Sequence, residues 1–214
     1  MGFFEFLVKR ADDMLELGLA HAIVVGAAVI IATVLGVAIG VLTYRNERAR
    51  DLALALTGSF LTIPSFALFI LLLSPLGLGW RPVLLALVLY GLLPVVRNTI
   101  TGLRGVDPAI IESAKGMGLN RRQRLMRIEL PLAWPVIITG VRVATLVLLG
   151  IAAIGAIVNG PGYGELIFTG LARVGTPVAV NLVLCGAVGV MILAVLFDLI
   201  FYAVQRLTTS RGIR

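Results

Sequence analysis

The chain has 214 residues, of which 59% are hydrophobic and 14% charged, and its mean hydropathy is +1.06. These values exclude a soluble domain of this size, so the sequence predicts an integral membrane protein embedded in the lipid bilayer. The net charge of +7 would suggest a nucleic-acid partner in a soluble protein, but none is expected here, because basic residues of a membrane protein mainly set its orientation.

Residues 1–17 carry apolar side chains at helical spacing with charged side chains between them. This pattern predicts a helix that lies at the membrane interface. Residues 18–206 are expected to form the transmembrane domain, and residues 207–214 a cytoplasmic tail.

Five apolar segments predict an all-α membrane protein with about five spans, at residues 19–43, 52–74, 82–101, 132–158 and 177–204. Pro64 and Pro75 are expected to break the second segment, and Pro94 to kink the third, because proline removes a backbone hydrogen bond. An odd number of spans places the two termini on opposite sides of the membrane.

The longest polar passage, residues 107–130, predicts two short helices joined by a glycine turn. Asp107 can cap the first helix with its carboxylate, and Pro108 suits the first helical position. Gly118 can take the left-handed conformation that ends this helix, and Asn120 can cap the next one. We call residues 107–130 the elbow.

The elbow is basic and ends where the fourth apolar segment begins. Gln123 stands where a capping box needs Glu or Gln, and Pro131 is the first residue of the segment that follows. Five basic residues give the elbow its charge: Lys115, Arg121, Arg122, Arg124 and Arg127.

Lysine and arginine are distributed unequally between the two sides of the predicted spans. Fourteen of them fall in the loop after the first span, in or beside the elbow, or in the C-terminal tail. Only Lys9, Arg10, Arg81 and Arg173 fall on the other side. Because cytoplasmic loops carry the excess of basic residues, we expect the elbow and C-terminus in the cytoplasm and the N-terminus outside the cell membrane.

The elbow resembles the EAA signature of permease subunits in binding-protein-dependent ABC importers. The positions that carry this resemblance are Glu112, Ser113, Ala114, Gly118, Ile128, Leu130 and Pro131. Ser113 alone departs from it, since the family usually has alanine there. Residues 63–80, 92–108 and 159–171 also resemble the permeases of osmoprotectant importers, which carry glycine betaine, choline, carnitine and related quaternary ammonium compounds.

This resemblance implies the type I ABC importer permease fold and a set of partner proteins. The partners would be a dimer of ABC ATPase subunits, a second permease, identical or paralogous, and an extracytoplasmic substrate-binding protein. In the family the elbow is a coupling helix that sits in a cleft of the ATPase. The residues expected to couple to the ATPase are Ile110, Glu112, Ser113, Ala114, Lys115, Met117 and Gly118.

Within the first elbow helix, the spacing of Ile110, Ala114 and Met117 predicts one shared face. Two interpretations of this face remain open. It contacts the ATPase, with Glu112 and Lys115 making polar contacts, or it packs against the chain's own second elbow helix.

Other function classes lack the residues they need. A membrane-embedded enzyme needs paired acids, a nucleophile with its base, or metal ligands, and the chain has one histidine and one cysteine. A channel or ion-coupled carrier would show charged rings, a filter or an inverted repeat. The chain has no GxxxxGK[ST] phosphate loop, so we expect a non-catalytic subunit without cofactor or metal, and ATP hydrolysis in a separate subunit. An alternative substrate is an amino acid or its derivative, and no substrate-path residue is assigned.

Five polar residues near the spans invite a specific interpretation. Asp198 either faces the dimer interior or pairs with an arginine near the cytoplasmic surface. Arg97 and Arg142 are expected to extend to the headgroups, and His21 to lie at the external interface. Glu165, on the external side, either contacts a docking protein or is a solvated surface acid.

Overall fold

The computed structural model describes residues 2–208, which form helices without any β-strand. In chain order the α-helices are α1 (Phe3–Lys9), α2 (Ala11–Thr43), α3 (Glu47–Thr62), α4 (Ser65–Leu76), α5 (Trp80–Arg104), α6 (Pro108–Gly116), α7 (Arg121–Arg124), α8 (Leu130–Ile154), α9 (Gly164–Ala172) and α10 (Ala179–Thr208). A π-helical turn, Leu125–Glu129, joins α7 to α8, and a 3-10 turn, Gly155–Val158, follows α8. Residues 209–214, which include most of the predicted tail, lie outside the described part.

Among the described residues, four helical segments are long and apolar enough to cross a membrane: α2, α5, Arg121–Val158 and α10. A fifth span is possible if α3 and α4 together form one broken span, since they meet at an angle of 95°. Their break lies at Ile63 and Pro64, where the sequence predicted one, because the residue before a proline favours the extended conformation seen at Ile63. Pro75 lies within the last turn of α4 and does not break it.

The N-terminal boundary differs from the prediction. The expected interfacial helix over residues 1–17 is divided at Arg10, whose φ of −113° and ψ of 22° leave the helical range. Residues from Ala11 onward belong to the continuous helix α2, so only α1 remains as a separate N-terminal helix. The charged residues of the first turns of α2 therefore extend one spanning helix instead of forming an element of their own.

The helix that contains the predicted fourth span begins before the span itself. The structure has no break at Pro131, because the helix that starts at Arg121 passes through the π-helical turn directly into α8. Proline lacks the N–H that an α-helical turn would use, and the wider turn before it accommodates this loss. The second elbow helix is thus continuous with the span, without an intervening loop.

Small residues bring the central helices close together. A β-carbon at Gly36 or Gly40 of α2 would lie 2.7 Å from Val95 and 2.6 Å from Thr99 of α5, respectively. A β-carbon at Gly140 of α8 would likewise lie 2.5 Å from Asn98. The core therefore centres on α5, which packs between α2 and α8. Helix α10 is more peripheral and leaves large apolar side chains exposed, including Met191, Ile192, Val195, Leu196, Leu199 and Ile200.

His21 is not an interfacial residue, contrary to the prediction. Its side chain is fully buried, with Nε2 3.1 Å from the Leu149 carbonyl oxygen. Its Nδ1 accepts a hydrogen bond from the Tyr163 backbone N–H at 3.3 Å, so Nε2 carries the proton and donates to Leu149. Gly162, with φ +120°, has no room for a β-carbon beside this ring. The histidine thus joins α2, α8 and the glycine-rich run before α9.

Candidate coupling site

The elbow begins with a well-formed helix cap. Asp107 accepts a hydrogen bond from the Ala109 backbone N–H at 2.8 Å, and Pro108 occupies the first turn of α6. Both features agree with the sequence prediction. The cap satisfies an N–H that would otherwise lack a partner at the start of a short helix.

The glycine turn at the end of α6 has the predicted left-handed conformation. Gly118 has φ +79°, and its N–H donates to the Lys115 carbonyl at 2.9 Å. The Leu119 N–H donates back to the Ala114 carbonyl at 3.1 Å, which completes a Schellman motif. Nothing lies within 4 Å of a β-carbon built at Gly118, so the backbone conformation, not a lack of space, favours glycine.

The second elbow helix starts with a full capping box. Asn120 accepts from the Gln123 backbone N–H, and Gln123 in turn accepts from the Asn120 backbone N–H, both at 2.9 Å. Arg124 donates to the Leu119 carbonyl at 2.8 Å, across the turn. Hydrogen bonds therefore fix both sides of the glycine turn, and α6 is held at a defined angle to α7.

Helix α6 and its C-cap are exposed around most of their circumference, with two apolar side chains on one side and an ion pair on another. Ile110 is 41% exposed and Met117 is 69% exposed. Lys115 donates to the exposed Glu112 carboxylate at 2.6 Å, while the Ser113 hydroxyl bonds within its own helix. This surface offers the apolar and charged contacts that a docking helix needs.

Ala114 does not share this surface, although the spacing predicted one face with Ile110 and Met117. Only 1% of Ala114 is exposed. The turn at Gly118 brings the chain back towards it, as the bond from Leu119 to the Ala114 carbonyl shows. A small side chain at this position leaves room for the turn and is not available to a partner.

Behind the elbow lies a buried polar cluster that the sequence analysis missed. Glu129, at the end of the π-helical turn, is 1% exposed and accepts from the Tyr44 hydroxyl at 2.6 Å and from Arg45 at 2.8 Å. The Arg45 guanidinium also lies 5.0 Å from the centre of the Tyr44 ring. Burial, followed by the bond to Glu129, raises the pKa of Tyr44 to about 12.

This cluster ties the end of α2 to the start of α8, on the elbow side of the bundle. It borders a cavity of about 490 Å³ between the elbow and the helix ends, lined by Tyr44, Arg45, Leu103, Arg104, Val106, Pro108, Ile111, Lys115, Arg124 and Glu129. The sequence indicates this cluster only weakly. Glu129 is a single acid just before the fourth apolar segment, and Tyr44 and Arg45 directly follow the first apolar segment.

A second polar cluster lies within the spans. Arg142 of α8 and Asp198 of α10 form a bidentate ion pair, with Nε–Oδ1 at 2.5 Å and Nη2–Oδ2 at 2.7 Å. Asp198 therefore pairs with an arginine, one of the two possibilities left open, but that arginine is Arg142. The expectation that Arg142 extends to the headgroups is wrong, because its guanidinium is bound to the carboxylate of Asp198 on the neighbouring helix.

The other polar residues singled out from the sequence lie at the surface of the chain. Arg97 is exposed on α5, and Glu165 is exposed in the first turn of α9. Without Arg142, thirteen basic residues instead of fourteen remain on the elbow side, against four on the other side. The excess of basic residues therefore still predicts that the elbow is cytoplasmic. Among residues 2–208 no group of three or more His, Cys, Asp or Glu side chains is placed to hold a metal ion.

Comparison with known proteins identifies a family and individual relatives that this sequence resembles over most of its length. Residues 22–210 match the family described as binding-protein-dependent transport system inner membrane component. The choline transport system permease protein OpuBB of Bacillus subtilis is 33% identical, over 98% of this chain and 95% of its own length. The glycine betaine/carnitine/choline transport system permease protein OpuCB of the same organism is 32% identical, over 98% and 94%.

A solved structure shows the same fold at lower sequence similarity. A chain of the MetNI methionine ABC transporter, in an inward-facing conformation, superposes with a TM-score of 0.80 at 18% identity. The match covers 92% of the present chain and 96% of that chain. The helices described above therefore have the type I ABC importer permease arrangement.

Proposed function

Since the chain belongs to the family of binding-protein-dependent transport system inner membrane components, we propose that it carries quaternary ammonium osmoprotectants such as glycine betaine, choline or carnitine into the cell. The family makes it a multi-pass membrane component of a transport system. Its relatives OpuBB and OpuCB, at 33% and 32% identity over nearly the whole chain, are named for transport of these compounds, which supports the substrate class.

The observation that supports a coupling role is the exposed surface of α6. Ile110 and Met117 are exposed on one side of a helix that is fixed at both ends, and the ion pair of Glu112 and Lys115 is exposed on another side. An ATPase subunit that binds this surface would push on a helix that hydrogen bonds fix to α7, which continues into α8. We propose that closure of an ATPase dimer moves two such elbows together and opens the path outward.

Three further kinds of subunit complete the proposed importer. Nothing in the sequence cradles nucleotide phosphates, so ATP hydrolysis belongs to the ATPase dimer. A second permease, identical or paralogous, completes a path that five spans do not enclose. An extracytoplasmic binding protein delivers the substrate, and it holds most of the selectivity, because only 7% of this chain is aromatic and cations of this class bind best to aromatic faces.

The proposed orientation places the elbow and α10's C-terminal end in the cytoplasm and α1 outside. Thirteen basic residues on the elbow side against four on the other support it. In this orientation Glu165 and α9 face the binding protein. The transmembrane domain then comprises residues 18–206, preceded by the interfacial helix α1.

Uptake by the reconstituted complex tests the substrate class. The permease is combined in liposomes with its ATPase, second permease and binding protein, and uptake of labelled glycine betaine, choline, carnitine and methionine is followed with ATP inside. We expect ATP-dependent uptake of at least one quaternary ammonium compound. Uptake of methionine alone would instead support the amino-acid alternative, for which the methionine transporter fold is the precedent.

A further inference from the structure

The Arg142–Asp198 ion pair lies deep in the membrane. On the elbow side, the Trp134 indole donates to the Thr208 hydroxyl at 2.9 Å, which marks equal heights on α8 and α10. Arg142 follows Trp134 by eight residues and Asp198 precedes Thr208 by ten, or about 12 Å and 15 Å of helix. Tryptophan favours the edge of a hydrocarbon core about 30 Å thick, so the pair lies near its middle.

The pair is also open to the outside of the subunit. The side chains of Arg142 and Asp198 are 36% and 34% exposed. Charged groups at this depth avoid lipid and face a protein interior or a water-filled path. Two more exposed polar side chains lie one turn away, Thr139 on α8 and Tyr202 on α10. The structure therefore has a polar strip at mid-membrane on an otherwise apolar surface.

The chemistry of this strip matches a zwitterion. Glycine betaine and carnitine each carry a carboxylate and a quaternary ammonium group. A guanidinium binds a carboxylate through two parallel hydrogen bonds, as Arg142 does with Asp198. A quaternary ammonium group has no hydrogen to donate, so it needs a negative charge and an aromatic face, and Asp198 with Tyr202 four residues further on offers both.

We infer that the Arg142–Asp198 pair is a substrate site in the transport path, where a zwitterion inserts between the two charges. The substrate carboxylate binds Arg142, and the quaternary ammonium group binds Asp198 and the ring of Tyr202. In the empty path the two side chains neutralise each other, so the site attracts no free inorganic ion. This inference rests on the proposed function, because it assumes quaternary ammonium substrates.

The competing interpretation is a purely structural pair that fastens α10 to α8 or to the second permease. The two interpretations differ in their dependence on the substrate. Choline has the quaternary ammonium group but no carboxylate, so it uses Asp198 and not Arg142. Loss of a purely structural pair would lower the uptake of every substrate equally. Such a pair would also form with the two charges exchanged between positions 142 and 198.

The test uses the full complex in liposomes, with saturating loaded binding protein and ATP inside. The variants are Arg142→Gln, Arg142→Lys, Asp198→Asn and the double exchange Arg142→Asp with Asp198→Arg. The exposed pair of Arg10 and Asp13, neutralised as Arg10→Gln with Asp13→Asn, is the matched control for loss of charge. Assembly with the ATPase is measured for each variant by size-exclusion chromatography.

We expect Arg142→Gln to lower glycine betaine uptake about tenfold or more and to leave choline uptake within about twofold, because only the carboxylate contact is lost. Arg142→Lys gives a smaller loss with the same substrate dependence, since it keeps the charge without the bidentate geometry. Asp198→Asn lowers uptake of both substrates. The charge exchange does not restore transport, and the control variant transports normally.

Several results would overturn the inference. They are an equal loss for both substrates, unchanged uptake, or rescue by the charge exchange. If the Arg142→Gln variant does not assemble with the ATPase, the uptake of glycine betaine and of choline is compared in the Arg142→Lys variant instead. The wild type separates this inference from the proposed function. A complex that takes up no quaternary ammonium compound refutes the proposed function, whereas one that carries choline alone overturns only the zwitterion site. If the wild-type complex carries glycine betaine but not choline, the two substrates cannot be compared. The charge-exchange variant then decides, because restored transport would overturn the inference.

Discussion

Replacement of Gly118 tests whether the glycine turn positions the elbow for its partner. With φ at +79°, a residue with a β-carbon strains the backbone by about 1–2 kcal/mol, and no clash adds to this because nothing lies within 4 Å. That strain corresponds to a factor of about 5–30 in an equilibrium constant. It is small against the packing of the helical bundle but large for a docking surface.

The substitutions separate backbone strain from contact with the ATPase. Gly118→Ala introduces the strain with minimal bulk, whereas Gly118→Asn keeps the left-handed conformation accessible. Gly118→Asp adds a charge to the docking surface. Gly116→Ala is the matched control, because Gly116 has no positive φ and also nothing within 4 Å of its β-carbon.

The assay measures ATPase affinity for the permease in nanodiscs, together with uptake by the reconstituted complex. We expect Gly118→Ala to weaken ATPase binding about 5–30 fold, and Gly118→Asn to weaken it less. Gly118→Asp is expected to insert and assemble with the second permease but to abolish ATP-driven uptake. If Gly118→Ala and Gly118→Asp bind the ATPase and transport as well as Gly116→Ala does, the elbow has no part in coupling.

Three further predictions concern orientation, the buried cluster and the division of labour. With Cys185 replaced by Ala, an impermeant thiol reagent applied to whole cells should label Val174→Cys and not Arg122→Cys, and equal labelling would contradict the proposed orientation. Because the pKa of Tyr44 is raised to about 12 and the hydroxyl donates to Glu129 only when protonated, its contribution to stability should be constant below pH 10 and decrease between pH 10 and 12. Tyr44→Phe should remove that part of the decrease in thermal melts, and an unchanged pH profile would exclude the cluster as its source. Calorimetry on the purified subunit should detect no sub-micromolar binding of ATP, choline or glycine betaine, and sub-micromolar affinity for any of them would contradict the assignment of tight substrate binding to the binding protein and of nucleotide binding to the ATPase.

The sequence alone determined the local geometry of the elbow. The caps at Asp107 and Asn120 and the turn at Gly118 follow from hydrogen bonds between residues at most five positions apart. Such bonds depend on the side chains and the backbone preferences of neighbouring residues, so a short stretch suffices to predict them. The same holds for the break at Pro64, which follows from a missing N–H and the restricted residue before it.

Only the tertiary structure decided how the charged and polar side chains are paired. Glu129 meets Tyr44 across 85 positions, His21 meets Leu149 across 128, and Arg142 meets Asp198 across 56. Helical periodicity shows which residues share a face, but it does not show what covers that face, as the burial of Ala114 illustrates. The pairings depend on which helices pack together and at what height, and glycines such as Gly36 and Gly140 fix this by letting α2 and α8 approach α5. The cost of leaving a buried charge unpaired then selects the partners, and that cost exists only once the helices are packed.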